Sequence, residues 1–337
     1  VHVGTALNKI LKDTILRYKS ARGYRTPYIP GWDCHGLPIE HKVTKELRKQ
    51  KADLDPVQIR KACTEFSASF IETQRDQFKR LGVLADWGSE YRTMNSSYEG
   101  EILRTFADFV EQGLVYRSKK PVYWSIPCKT ALAEAEIEYK DHVSPSIFVR
   151  FRLLDRDCES YVLIWTTTPW TLPANLAIAV HPRENYVEIK ENGVSYWVAE
   201  ELSKSLSSLF GFDHPVIGES MTGEELSRWK TQHPFIDRES PILTAEYVTM
   251  ESGTGCVHIA PGHGLDDYMT GIENGLEVYC PLTDDGTYVD DGMVPSELVG
   301  VSVLEKSSGC PANDRVMEIL NQCGALIFKQ NHHHQYP

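Results

Sequence analysis

Apolar side chains recur every three or four residues in the first half of the chain and gather into short extended runs in the second. Leu7, Ile10, Leu11, Ile15 and Tyr18 predict a helix that Thr5 caps and that ends near Gly23. Asp55-Pro56 opens another, carrying Ile59, Phe66, Phe70, Phe78 and Leu81, with Gly82 as its stop. A third runs from about Tyr98 to Gly113, and short extended runs such as Tyr28-Ile29-Pro30 and Pro121-Val122-Tyr123-Trp124 lie between them. That alternation suits an α/β layer. After Ser144-Pro145 the pattern turns to β runs: Ile147 to Leu153, Tyr161 to Thr167 and Ala177 to His181. Tyr186 to Lys190 and Val194 to Ala199 flank Glu191-Asn192-Gly193, a hairpin signal because Asn-Gly suits turns with positive φ. Val316 to Gln322 reads as a short helix. A domain boundary near residue 144 follows.

Length agrees with two domains, since 337 residues exceed one typical core. The chain starts at Val1 rather than Met and stops at His334-Gln335-Tyr336-Pro337 without closing an element, which reads as a piece of a longer protein. Targeting segments are therefore not assessable from it. No apolar run approaches the roughly 20 residues that span a bilayer, so a soluble protein with no membrane partner is expected. Eight cysteines are scattered without a C-x-x-C pair, as free thiols of a reducing compartment would be. The net charge of −12 conceals a split: residues 1–150 carry +5 and residues 151–337 carry −17. An acidic second half is no general phosphate platform, because nucleic-acid affinity comes largely from counterion release by Lys and Arg.

Two segments are richer in chemistry than a fold requires. In Trp165-Thr166-Thr167-Thr168-Pro169-Trp170-Thr171-Leu172-Pro173-Ala174-Asn175 the threonines follow the apolar run Tyr161-Val162-Leu163-Ile164, where a strand ends and turns. In Gly253 to Tyr268, His258, His263, Asp266 and Asp267 lie among glycines that allow backbone to come close. Each element has a plainer explanation. Threonine runs suit strands, a lone His258 is most often a core residue, Asp266 can cap a helix starting near Tyr268, and His263 can be a loop residue. Together, at a domain-sized interval, they are hard to produce by chance. His2-Val3-Gly4-Thr5, directly before a helix, would set an imidazole and a close-approaching backbone at a positive helix end, which favours phosphate. His332-His333-His334 invites a metal reading, but adjacent histidines cannot all face one ion, and a solvated end is expected.

The two threonine and histidine segments resemble the signature segments of the editing domain of isoleucyl-tRNA synthetases. Pro30-Gly31-Trp32-Asp33-Cys34-His35-Gly36-Leu37-Pro38-Ile39-Glu40, Asp86-Trp87 with Tyr91-Arg92-Thr93-Met94, Ala131 to Glu136, and His334 to Pro337 extend the likeness over essentially the whole chain. It implies part of a Rossmann-like class I catalytic domain over 1–144, an inserted mainly-β, α+β barrel-like editing domain over 145–330, and a return toward the catalytic domain from 331. The implied activity is ATP-dependent activation of isoleucine, its transfer to the isoleucine-specific tRNA, and hydrolysis of mischarged valyl-tRNA and valyl-adenylate. In this enzyme class one methylene separates isoleucine from valine by only about 150-fold, so a second, hydrolytic site is needed.

The resemblance also distributes roles. His2, Gly4 and Thr5 fall in the ATP-binding signature; Asp33 would hold the amino acid's ammonium group, with Trp32 and His35 in the same pocket. Asp267 would bind the ammonium of the misattached valine. Thr166, Thr167, Thr168 and Thr171 would line the editing pocket and order a water, Asn175 would be a polar support, and His258 would limit pocket size. No Ser-His-Asp or Cys-His arrangement is evident, which favours direct attack by water. Three departures stand out. Thr5 replaces the second histidine of the ATP signature, Ser125 in Trp124-Ser125-Ile126-Pro127-Cys128 removes a ligand from a C-x-x-C zinc site so that no zinc is expected, and the second ATP signature lies outside the chain. ATP and Mg are the cofactors expected of the longer enzyme, and isoleucine, ATP and tRNA its partners, with a monomer expected. This polypeptide alone is not expected to aminoacylate. Ser125 and the run Tyr116 to Trp124 resemble mitochondrial members, which points to the mitochondrial matrix, with the cytoplasm as the alternative. Competing readings are a valyl- or leucyl-specific relative and a non-catalytic synthetase paralogue; a free-standing editing hydrolase would not need the Gly31 to Glu40 pocket.

Overall fold

A computed structural model describes residues 1–49, 55–156, 158–305 and 309–336. The chain divides into two compact units, Val1–Arg117 and the residues from Ser118 onward. The change of pattern seen near residue 144 falls inside a long strand of the second unit.

The first unit contains α1 (Val3–Ala21), β1 (Gly31–Trp32), α2 (Leu37–Lys49), α3 (Pro56–Arg80), β2 (Tyr91–Arg92) and α4 (Ser96–Glu111). Asp55 caps α3, its carboxylate accepting from the Val57 and Gln58 N–H groups at 3.1 and 3.2 Å. Gly82 follows with φ +82, a conformation that costs glycine little. The cap of α1 differs from expectation. It is His2, whose Nδ1 accepts from the Gly4 and Thr5 N–H groups at 3.1 and 3.4 Å, while Thr5 lies inside the first turn. An imidazole lone pair satisfies the same orphan donors that a threonine hydroxyl would. β1 and β2 pair in parallel, Gly31 opposite Tyr91. A Cβ at Gly31 would stand 2.1 Å from the end of the Tyr91 ring, so glycine lets that ring lie across the strand. Trp32, Cys34, Ile71, Phe78 and Val83 form the small core beside this pair.

In the second unit the elements are β3 (Trp124–Ser125), β4 (Thr130–Ala131), β5 (Lys140–Leu153), β6 (Ser160–Thr166), β7 (Ala177–Val180), β8 (Asn185–Glu191), β9 (Val194–Ala199), α5 (Ser203–Phe210) and β10 (Val216–Thr222). They continue with α6 (Gly223–Leu226), β11 (Lys230–Gln232), β12 (Glu239–Thr244), β13 (Cys256–Ile259), α7 (Leu265–Glu273), α8 (Pro311–Gln322) and β14 (Leu326–Tyr336). Among the described residues, ten strands join in one mixed sheet ordered β10-β8-β9-β6-β5-β11-β12-β7-β13, with β14 on β5. The mixed α/β class is the one expected. The Asn192-Gly193 hairpin also forms as read, with φ +51 and +82 between β8 and β9.

Inward faces of β5, β6, β7 and β9 bury Val149, Phe151, Val162, Ile164, Ile178 and Trp197, against which α8 sets Ala312, Val316 and Leu320. Burial at this level contributes roughly 1.5–3 kcal/mol per large side chain. The triple histidine is not a solvated end. It belongs to β14, which pairs antiparallel with β5 from Lys140 to Val149, and His334 meets the Ser144 hydroxyl at 2.8 Å. Period-two alternation turns His332 and His334 to one face and His333 to the other.

Candidate active site

Strand β6 delivers Thr166 at its last position, and the chain then tightens into a 3-10 turn, Pro169–Ala174. The threonine hydroxyls of this corner converge. Thr166 Oγ1 accepts the Thr168 N–H at 3.1 Å and lies 3.3 Å from Thr168 Oγ1, which in turn is 3.4 Å from Thr171 Oγ1. Thr167 is half-buried beside them. Thr171 donates its one hydroxyl proton to the Thr168 carbonyl at 2.8 Å, so His258 Nε2–H must be the donor in the 3.0 Å contact with Thr171 Oγ1. That choice leaves His258 Nδ1 as an acceptor, buried and without a hydrogen-bond partner among the described residues. An unsatisfied buried acceptor of this kind calls for a ligand or water.

His258 comes from β13, which runs antiparallel to β7. Beyond it the chain turns through Pro261-Gly262-His263-Gly264 into α7, whose first turn carries Asp266 and Asp267. α7 thus begins three residues before Tyr268, and Asp266 lies inside the helix rather than capping it; Gly264 takes the cap position. Asp267 Oδ2 accepts the Ala260 N–H at 2.9 Å, and a Cβ at Gly264 would press to 2.9 Å from the Asp267 carboxyl carbon, so glycine there makes room for the acid. Burial pushes the Asp267 carboxyl up to about 6, the Ala260 hydrogen bond opposing and the Asp266 charge adding to the rise. Burial lowers His258 to about 4, helped by His263, and burial alone takes His263 to about 4. Both imidazoles are neutral at pH 7. The His263 ring meets the Trp170 ring edge-on at 5.1 Å, a second contact between the threonine turn and the histidine turn. Asn175 lies beneath the turn, fully buried, its amide donating to the Ala177 carbonyl at 2.8 Å and accepting from Ser240 Oγ at 2.7 Å.

Thr166, Thr168, Thr171 and His258 are therefore joined through hydrogen bonds, with Asp267 on the same β13–α7 connection. Several residues that surround them went unread in the sequence. His233, Arg238, Tyr288 and Asn313 all bond to the threonine turn, and the Tyr247 phenol is held far above its usual range by burial and by the Asp267 charge. Isolated residues in irregular segments offer no periodic or spacing signal by which to find them. Cys256, in β13, is buried, and burial pushes its thiol up, away from the thiolate a nucleophile needs.

In the first unit, His2 uses both ring nitrogens at the start of α1, Nε2 lying 3.0 Å from Thr5 Oγ1. Gly4 admits the ring, since a Cβ there would meet His2 Cε1 at 3.0 Å. His2 lines a cavity of about 490 Å3 with Ala6, Gln77 and Arg80. Trp32 is buried and donates its indole N–H to Glu90 at 3.1 Å. Burial alone would raise Glu90, but hydrogen bonds from Arg75, Arg92 and Trp32 outweigh it and hold the carboxyl at about 2. Asp33 is exposed, 3.5 Å from the Thr93 hydroxyl, and His35, also exposed, has Nε2 3.6 Å from Glu99. Among the described residues no group of three His, Cys, Asp or Glu side chains is placed to hold a metal ion, and no helix is long and apolar enough to cross a membrane.

The family model for tRNA synthetases class I (I, L, M and V) matches residues 1–287, and the chain belongs to that family. It is 49% identical over 338 residues to the isoleucine–tRNA ligase of Fervidobacterium nodosum and 46% identical over 346 residues to that of Nitratidesulfovibrio vulgaris strain Miyazaki F. Each alignment covers all of this chain and 36% of the relative, so the chain spans little more than a third of the length of the curated relatives it matches. Among solved structures, the editing domain of the P. falciparum cytosolic leucyl-tRNA synthetase aligns with 37% of this chain and 64% of its own, at 14% identity and a TM-score of 0.32.

Proposed function

We propose that this chain is the portion of an isoleucyl-tRNA synthetase that holds a hydrolytic editing site and part of the synthetic site. The observation that carries the reading is the Thr171 to His258 hydrogen bond, which draws the two signature segments into one cluster with Asp267 alongside. Ionised above about pH 6, Asp267 pairs with the α-ammonium of a valyl group esterified to the tRNA end and fixes its carbonyl. Thr166, Thr167, Thr168 and Thr171 order the attacking water and the terminal adenosine. Neutral His258 donates to Thr171 and presents Nδ1 as an acceptor, narrowing the pocket against isoleucine. Water adds to the ester carbonyl, the ribose oxygen leaves with a proton, and valine and free tRNA result. Orientation does most of this work. Antiparallel pairing of β5 with β14 brings the two ends of the β-rich region side by side, as an insertion over residues 145–330 would require.

For the synthetic half, we assign nucleotide phosphate to the α1 N-terminus, where it would take the place of His2 Nδ1 on the Gly4 and Thr5 N–H groups, and the ammonium group of isoleucine to Asp33, with Trp32 and His35 near it. ATP supplies the adenylyl group, and Mg would be carried chiefly by its phosphates. Transfer to tRNA requires the longer protein. Mitochondrial residence, with the cytoplasm as alternative, rests on Ser125 and the run Tyr116 to Trp124 alone.

The deciding experiment is single-turnover deacylation of valyl- and isoleucyl-tRNA, both on the isoleucine-specific tRNA, by this chain and its Asp267→Ala variant. Faster loss of valine, abolished by the substitution, is the expected result. Equal loss of both amino acids would remove the isoleucine-specific reading, and no loss even in the full-length protein would favour a non-catalytic paralogue.

A further inference from the structure

The 3-10 turn Pro169–Ala174 carries two prolines, Pro169 and Pro173, which bring no N–H groups to it. Bonds from Thr171 N to the Thr168 carbonyl (3.0 Å) and from Asn175 N to the Leu172 carbonyl (2.9 Å) close its two ends. Side chains from distant segments grip it as well. Asn313 accepts the Trp170 N–H at 3.0 Å, and Tyr288 donates to the Trp170 carbonyl. Arg238 Nη1 donates to the Pro173 and Asn175 carbonyls at 3.2 and 2.7 Å.

On the other side of Thr171 the contact comes from His233, only 2% exposed. Its ring is wedged edge-on between Phe151 and Phe235, with centroids 5.5 and 4.6 Å away. Nδ1 accepts the Phe235 and Ile236 N–H groups at 3.3 and 3.2 Å, so the ring proton sits on Nε2, which points at the Leu172 carbonyl 3.0 Å away. Burial lowers this imidazole to about 3, and it holds that one tautomer throughout the neutral range. Leu172 follows Thr171 directly, so whatever fixes its carbonyl fixes the hydroxyl that meets His258.

We infer that His233 is a positioning residue for the hydrolytic site: its Nε2–H anchors the Leu172 carbonyl and thereby sets the Thr171 hydroxyl against His258. The inference rests on the editing reading for its catalytic consequence, whereas the anchoring itself is independent of any substrate. Two amides dissect the ring. Gln at 233 places a donor where Nε2–H stands, and Asn places an acceptor where Nδ1 stands. With valyl-tRNA, His233→Gln should keep deacylation within about threefold of the parent. His233→Asn should lose about a hundredfold in the single-turnover rate, the scale of a misplacement of about an ångström, with substrate affinity unchanged and with a loss of Tm similar to that of His233→Gln. Arg238→Gln, outside the core, should lose about tenfold and serves if a His233 variant does not fold. Amide hydrogen exchange over residues 168–176, read without substrate, should quicken in His233→Asn and not in His233→Gln. Equal rates and equal exchange in the two amide variants would overturn the inference and leave His233 as packing. If the parent chain and the full-length protein fail to deacylate, the editing reading falls with the catalytic consequence, while exchange still decides the anchoring.

Discussion

Helix α1 in the first unit presents Leu7, Leu11 and Ile15 at 54–60% exposure, and α4 presents Ile102, Phe106 and Phe109 at 47–55%, whereas β5, β6 and β7 in the second unit bury Ile147, Val149, Ile164 and Ile178 completely. Both sets were read from equally clear hydrophobic patterns. Periodicity reveals which face of an element is apolar, and covering that face takes other segments. The second unit supplies them from within, through α8 and the long β5/β14 ribbon, and so sets the threonine turn against an enclosed core. Among the described residues of the first unit, the enclosed apolar side chains gather chiefly around Trp32, Ile71 and Phe78, while His2, Asp33 and His35 are exposed.

The strongest way to break the comparison is acid. His233, His258 and His263 have folded values of about 3, 4 and 4, below an unfolded value near 6.5, so the unfolded chain takes up protons first as pH falls below 6.5. Asp267 acts in the opposite sense. Its folded value of about 6 lies above the unfolded 3.8, so its ionised form costs stability at high pH, and the cost is relieved as pH falls through 6. Three histidines outweigh one aspartate, and the second unit should lose on the order of 5 kcal/mol between pH 6.5 and 4, enough to unfold a marginal domain. Denaturant melts followed through Trp197, a buried tryptophan of this unit, would measure it; a midpoint insensitive to pH would refute it.

Core truncation comes next. Ile164→Ala, at a fully buried position, should cost about 2–5 kcal/mol, while Ile15→Ala, 60% exposed, should change stability by less than about 0.5 kcal/mol in this chain. Similar losses at both sites would mean that α1 is covered after all. A smaller effect is expected at Glu90. Its folded value of about 2 lies below 4.5, so it stabilises the first unit above pH 4.5, and the contribution disappears as pH falls through 2. Allowing for solvent screening, Glu90→Gln should cost about 1–2 kcal/mol at pH 7 and almost nothing at pH 2, measured by thermal melts at the two pH values. Least of all, Gly193→Ala, at φ +82 in the β8/β9 turn, should cost about 1 kcal/mol without altering deacylation.

What the sequence made legible was whatever repeats. The helices Val3–Ala21, Pro56–Arg80 and Ser96–Glu111 and the Asn192-Gly193 hairpin lie within a few residues of their expected limits, because spacing, caps and turn glycines are local signals. β12 and β13 are short and both pair with β7, far back along the chain, and the histidines of β14 looked like a tail because their partner strand begins nearly two hundred residues earlier. Of the candidate site, the threonines, His258 and Asp267 were singled out by their crowded segments and given roles by the family resemblance, and the fold brings the Thr166, Thr168, Thr171 and His258 side chains together. His233 and Arg238 were not singled out, since their role lies in which carbonyls they meet, a property of the folded turn. His2 shows the same limit in miniature: a cap was expected at that helix start, and the atom that makes it belongs to the imidazole.

Lys140 and Tyr336 stand directly opposite one another at the open end of the β5/β14 ribbon. Tension applied to the chain at these two points runs along the hydrogen bonds of the ladder rather than across them, so it loads one rung at a time. The ribbon therefore unzips at low force from its open end, and the sheet behind it feels little strain until that zipper is spent.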